Sequence, residues 1–168
     1  MLPSETLAMA ERVLGQFRAR GWKLATAESC TGGLVAAALT HIPGSSDVFD
    51  RGFVSYANGA KADMLHVPAA LILSQGAVSR DVAAVMAEGA LAVSRAQAAL
   101  SVTGIAGPTG GSADKPVGLV WLGLACVGTP VVTERHVFAG DRTEIRAQAV
   151  RAALTLLESI GRLDDPGG

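Results

Sequence analysis

Several things are scarce in this sequence, and each scarcity removes a class of explanation. There are two cysteines, Cys30 and Cys126, enough for one disulfide at most, and a thiol pair inside a cell is normally reduced, so no covalent staple is expected at this length. No cluster of Lys and Arg occurs, and the formal charge is -1 at pH 7. The chain therefore lacks the electrostatic footprint that a phosphate backbone demands, which argues against nucleic acid as a principal partner and for small ligands. Charges or turn residues interrupt every apolar stretch before the roughly 18 consecutive positions that a membrane span needs, so a soluble protein is expected, with no membrane partner. The first twenty residues mix Glu5, Glu11, Arg12 and Arg18 into an amphipathic pattern and lack the apolar core of a signal peptide, which places the protein in the cytoplasm. There is no His-Glu-x-x-His, no Cys-x-x-Cys and no dense carboxylate cluster, so neither a metal nor a cofactor is expected.

What is present suits one core. A chain of 168 residues, 49% of them hydrophobic and 17% charged, reads as a single domain over 1–168 with a frayed tail from about 163. An opening helix over 4–20 takes Ser4 as its cap, Leu7, Ala10, Val13, Leu14 and Phe17 as its apolar face, and Gly21 as its stop. A short strand over 23–27 is followed by a helix over 34–39, and a second strand over 49–56 leads through Asn58 and Gly59 into a short helix with Lys61 in its first turn. The spacing of Val82, Val85, Met86 and Leu91 predicts a helix from Ser79, with Gly89 as a tolerated weak point, and 97–102 reads as a buried strand. The glycine-rich stretch 104–111 predicts a shaped loop. Two strands over 119–127 and 131–138, joined near Gly128, read as a hairpin, and Asp141 caps a last helix striped by Ile145, Ala149, Ala152, Leu156 and Ile160. Early alternation with a late hairpin predicts a three-layer α/β fold with a mixed sheet.

The turn Glu28-Ser29-Cys30-Thr31-Gly32-Gly33 between the first strand and the second helix holds the candidate chemistry. A strand that turns sharply into a helix brings its last side chains and the first free helical N–H groups into one small volume. Ser29 would supply a nucleophilic hydroxyl, and N–H groups from Cys30 to Gly33 would stabilise an oxyanion by roughly 3 kcal/mol per donor. Alone, the same residues make an ordinary helix cap. A base is needed, and His41, His66 and His136 share no motif spacing. Lysine serves if it is held neutral. Its ordinary pKa of about 10.4 must then fall by about 3 units, roughly 4 kcal/mol, which requires shelter. Lysine occurs only at 23, 61 and 115, and Lys61 is the one that follows a strand, near Tyr56 and Asn58. The loop from Thr103 through Gly104, Ala106 and Gly107 is neither a P-loop nor a dinucleotide fingerprint. Its backbone N–H groups could cradle an anion all the same, with Arg142 adding charge.

These segments carry a resemblance. Ala27-Glu28-Ser29-Cys30-Thr31-Gly32-Gly33, Ile42-Pro43-Gly44-Ser45-Ser46, Arg51-Gly52-Phe53-Val54-Ser55-Tyr56-Ala57-Asn58 with Lys61, Thr103-Gly104-Ile105-Ala106-Gly107-Pro108 and Lys115-Pro116-Val117-Gly118 together resemble the CinA C-terminal domain family across nearly the whole chain. The resemblance implies an α/β/α sandwich, commonly a homodimer, that hydrolyses nicotinamide mononucleotide (NMN) to nicotinate mononucleotide and ammonia in pyridine nucleotide salvage. It implies a Ser/Lys mechanism without metal, and no activity of the molybdopterin-binding-like domain that many relatives carry. On this sequence Ser29 attacks and Lys61 is the base. Tyr56 and Asn58 orient the lysine or the amide, and the nucleotide is held by Cys30, Thr31, Gly32, Gly33, Ser46, Thr103, Gly104, Ala106, Gly107 and Arg142. Three alternatives stay open: Ser45 or Ser46 as the reacting hydroxyl, Cys30 as nucleophile with Glu28 and Lys61 as helpers, and a module that binds a nucleotide or a partner without turnover.

Overall fold

The computed structural model describes residues 2–162; the expected tail from 163 lies outside the described residues. Eleven principal elements follow in the order α1 (Ser4–Ala19), β1 (Leu24–Glu28), α2 (Leu34–His41), β2 (Phe49–Val54), α3 (Asn58–Leu65), α4 (Ala69–Gln75), α5 (Arg80–Ala92), β3 (Ala98–Gly104), β4 (Leu119–Cys126), β5 (Val132–Val137) and α6 (Arg142–Glu158). The strands form one sheet in the order β2-β1-β3-β4-β5. β1 runs parallel to both β2 and β3, whereas β4 and β5 return antiparallel as the expected hairpin. The sheet is mixed, as the alternation of elements predicted.

Both faces of the sheet are covered, and the alternation of side chains along a strand explains how. Leu24 and Leu100 point into one core with α1, α2 and α6, while Ala25, Ala27 and Ala99 point into the other with Val82 and Met86 of α5 and Leu65 of α3. A strand buried on both faces needs no polar alternation, and β1 is buried at all five positions. The second face is lined by small residues because α5 lies close to the sheet. The Ser101 hydroxyl donates to the Ala83 carbonyl at 2.6 Å, and a Cβ at Gly123 would collide with that same carbonyl. Gly89, expected as a weak point in its helix, is instead a close approach: a side chain there would strike the Leu65 carbonyl at the end of α3.

Local signals fared unevenly. Asp141 caps α6 through a full capping box with Glu144, worth on the order of 1 kcal/mol. Gly21 stops α1 in the left-handed region. Ser4, however, is the first helical residue; Pro3 occupies the cap position and no side chain caps α1. Helix α4 was not anticipated, since it buries none of its residues fully and its apolar positions are too few to show a period. Among the described residues no helix is long and apolar enough to cross a membrane.

Candidate active site

The three parallel strands end at one edge of the sheet, and in open α/β sheets that edge is where ligands bind. Ser29 follows β1 directly, and its N–H donates to the Val102 carbonyl of β3 at 2.9 Å, so the turn begins as a continuation of the ladder. Ser55 and Tyr56 follow β2, with the Ser55 N–H donating to the Glu28 carbonyl. Thr103 and Gly104 close β3.

The turn after Ser29 is held by two charged side chains. Glu28, fully buried, turns its carboxylate onto the N-terminus of α2 and accepts from the N–H groups of Val35 at 2.9 Å and Ala36 at 3.0 Å. It thus acts as the cap that the Gly33 position cannot provide. From the other side Arg146 of α6 donates to the carbonyls of Cys30 at 3.0 Å and Thr31 at 3.2 Å. Gly32 and Gly33 both have positive φ, the conformation the turn requires and glycine tolerates. The Gly32 N–H is consumed by the Ser29 carbonyl. That of Cys30 meets no oxygen acceptor among the described residues, which leaves it available to an oxyanion, whereas Thr31 is fully buried.

Lys61 reaches this turn from the first turn of α3. It is 1% exposed, and its Nζ lies 3.0 Å from Ser29 Oγ, 2.8 Å from the Ser55 carbonyl and 3.2 Å from the Tyr56 carbonyl. Burial pulls its pKa below the ordinary lysine value, because desolvation disfavours the ammonium. A neutral amine has two N–H bonds and one lone pair. As an ammonium Lys61 donates to all three oxygens; once neutral, its two N–H bonds go to the carbonyls, which can only accept, and its lone pair is left facing the Ser29 hydroxyl. That is the arrangement in which the hydroxyl donates its proton to nitrogen.

The dyad opens into a cavity of about 230 Å³ bordered by Ser29, Lys61, Asn58, Val78, Gly104 and Arg142. A neighbouring cavity of about 510 Å³ lies at the start of α6, against Pro108, Val117 and Asp141, and shares Ala106 and Arg142 with the first. The expected catalytic turn and the expected glycine loop thus border two adjoining cavities.

The CinA C-terminal domain profile matches residues 6–160. The chain belongs to that family. A CinA-like protein of Syntrophobacter fumaroxidans is 54% identical over 150 residues, which cover 88% of this chain but only 35% of the relative. The nicotinamide-nucleotide amidohydrolase PncC of Escherichia coli K12 is 48% identical over 157 residues, covering 94% of this chain and 95% of the relative. The crystal structure of the competence/damage inducible protein CihA from Agrobacterium tumefaciens superposes with a TM-score of 0.93 at 50% identity, covering 95% of this chain and 98% of that one. The chain thus spans about a third of the first relative and nearly all of the second.

Within this CinA C-terminal domain most of the expected residues converge, though not always by the expected atoms. Tyr56 holds Lys61 through its carbonyl; its ring is more than half exposed, and its hydroxyl accepts from Arg142 at 3.0 Å. Arg142 also donates to the Gly107 carbonyl at 2.9 Å. Thr31 is buried and offers Arg146 its carbonyl. The Thr103 hydroxyl is spent on the Ala77 carbonyl at 2.8 Å, and so ties down the loop whose Ala77 and Val78 also border the cavity. Ser45 and Ser46 do not join the site. They sit in a short helical turn just before β2, beside the beginning of β1, and a five-residue strand, roughly 15 Å, separates them from Ser29. Glu28 is no helper of a thiol, since both its oxygens serve α2.

Cys30 borders the cavity but is 6% exposed, and burial pushes its thiol up to about 11. At pH 7 only about one molecule in 10⁴ would carry the thiolate. Iodoacetamide at neutral pH should therefore leave activity intact over an hour, and Cys30→Ala should keep turnover within about threefold. Rapid inactivation protected by substrate would make Cys30 the nucleophile. Among the described residues, no group of three or more His, Cys, Asp or Glu is placed to hold a metal ion.

Proposed function

We propose that this protein hydrolyses the carboxamide of NMN to nicotinate mononucleotide and ammonia through a Ser29/Lys61 dyad, as one domain acting in pyridine nucleotide salvage. The observation that carries the reading is the buried Lys61 amine 3.0 Å from Ser29 Oγ with two carbonyls on its other side. The names of relatives that align over nearly their whole length support the substrate.

Ser29 Oγ attacks the carboxamide carbon and its proton passes to Lys61 Nζ. The N–H of Cys30, at the edge of the cavity, receives the developing oxyanion. Collapse breaks the C–N bond, Lys61 protonates the departing nitrogen, and ammonia leaves an ester on Ser29. Water adds by the reverse route: its proton goes to Lys61, the ester C–O bond breaks, and Ser29 recovers a proton as the carboxylate is released. The carboxamide occupies the smaller cavity, and the ribose phosphate extends past Arg142 to the start of α6, where a helix N-terminus favours an anion.

The deciding assay is ammonia release from NMN, with free nicotinamide and NAD as comparison substrates. NMN should be turned over far faster than either. Binding of NMN without ammonia over hours would leave a nucleotide-binding module instead. The pH profile has a fixed sign. Below its lowered pKa Lys61 is an ammonium and cannot accept the serine proton, so kcat/KM should climb as pH rises through that pKa and then level. A rate that is flat or falling over the ascending range would remove Lys61 as the base.

A further inference from the structure

Arg146 has a second side. Its Nε and one terminal nitrogen hold the Cys30 and Thr31 carbonyls, and its other terminal nitrogen meets no acceptor among the described residues. Arg146 also borders a cavity of about 320 Å³, which adjoins the larger cavity at the start of α6 through Thr143. Leu2, Pro3, Leu34, Ala147 and Val150 give it apolar walls, and Thr6, Thr143 and Arg146 its polar groups. Thr6 is 2% exposed, yet its hydroxyl makes no hydrogen bond among the described residues. The cavity also adjoins the start of the sixteen-residue helix α1, where Pro3 supplies no side-chain cap, so the positive end of that helix is uncompensated by a capping group. Glu5 in the same turn is exposed and does not border the cavity.

A guanidinium edge, an unpartnered hydroxyl and a helix N-terminus select an anion. Apolar walls exclude a heavily hydrated dianion, because its lost solvation would go uncompensated. We infer that this cavity binds a small apolar monocarboxylate, its carboxylate against Arg146 and Thr6 and its hydrocarbon against Leu34 and Val150. Because the same arginine clamps the Ser29 turn, the bound acid draws on the guanidinium that steadies the nucleophile, and it inhibits without occupying the substrate's place. The binding is independent of the NMN reading, since it is measured without turnover; the inhibition rests on that reading.

The test is calorimetric titration of the intact chain with hexanoate, with hexanamide as the uncharged control. Hexanoate should bind one per chain and hexanamide about tenfold more weakly or not at all. Thr6→Val should weaken hexanoate about tenfold, and Ala147→Phe, which fills the cavity from α6, should abolish binding; both variants should match the parent in activity without the acid. In the NMN assay hexanoate should lower kcat and leave KM unchanged. Absence of saturable binding, equal affinity for hexanamide, binding that survives Ala147→Phe, or inhibition that only raises KM would each overturn the assignment.

Discussion

Ser29→Ala should lower ammonia release from NMN by about 10⁴-fold while the circular dichroism spectrum and Tm stay close to those of the parent. The size follows from the role: when nucleophile and base act as a unit, removing either one collapses the covalent route, and only binding and oxyanion contacts remain. The fold should hold because Ser29 is anchored through its backbone N–H to Val102, a bond that alanine keeps. Lys61→Met and Lys61→Arg should fall as far. Methionine fills a similar volume with no lone pair. Arginine restores the positive charge but keeps its protons at any working pH, so an active Lys61→Arg would mean that the lysine supplies charge rather than basicity. Each single variant should be about as slow as the double variant, because two halves of one proton relay are not additive. Activity within tenfold of the parent in any of the three would dissolve the dyad.

Glu28→Ala carries the second large effect, and it falls on stability. The carboxylate is fully buried and satisfies two N–H groups at the start of α2. Alanine leaves both without an acceptor and removes the negative charge from the helix N-terminus, a loss of about 3 kcal/mol or more. In a chain of this size 3 kcal/mol corresponds to a drop of roughly 6–12 °C in Tm. Glu28→Gln isolates the cause. The amide retains one acceptor oxygen but aims an NH₂ at the second N–H, so it should be less destabilised than alanine and still less stable than the parent. Because Ser29 is the next residue, both variants should also lose turnover. A Glu28→Ala protein with parental Tm would show that α2 finds another cap.

The contrast between these two residues shows what the amino-acid order discloses. Ser29 was legible because strand, turn and helix are local: apolar residues before it, two glycines after it and an alanine-rich run beyond. Lys61 was legible by elimination among three lysines and by its place after a strand, near Tyr56 and Asn58. Glu28 was visible only as a neighbour. Its partners are backbone N–H groups seven and eight residues on, and no side-chain pattern marks them. Arg146 was missed for a stronger reason. It meets Thr31 across 115 residues, and its own segment reads as a plain amphipathic helix. Ser46 misled because it lies 17 residues after Ser29, close along the chain, yet a β-strand's length away once β1 and β2 align in parallel. Tyr56 meets Lys61 through its carbonyl, an atom every residue type shares, so its side chain could not announce that contact. The sheet order, with β1 between β2 and β3, likewise has no local signature; it follows from burying β1 on both faces.

That sheet order has an evolutionary consequence. Ser29, Lys61 and the long glycine loop follow three different strands at one edge, so each hangs on its own strut and can vary while the others stay in place. Residues 105–118 form an insert between β3 and β4 whose two ends are already joined across the antiparallel ladder. A loop of another length or chemistry grafted there would retune which part of a ligand is gripped beyond the amide, with Ser29 and Lys61 left undisturbed on their own supports. The scaffold separates the bond being cut from the handle by which the molecule is held, and the handle is the part free to diverge.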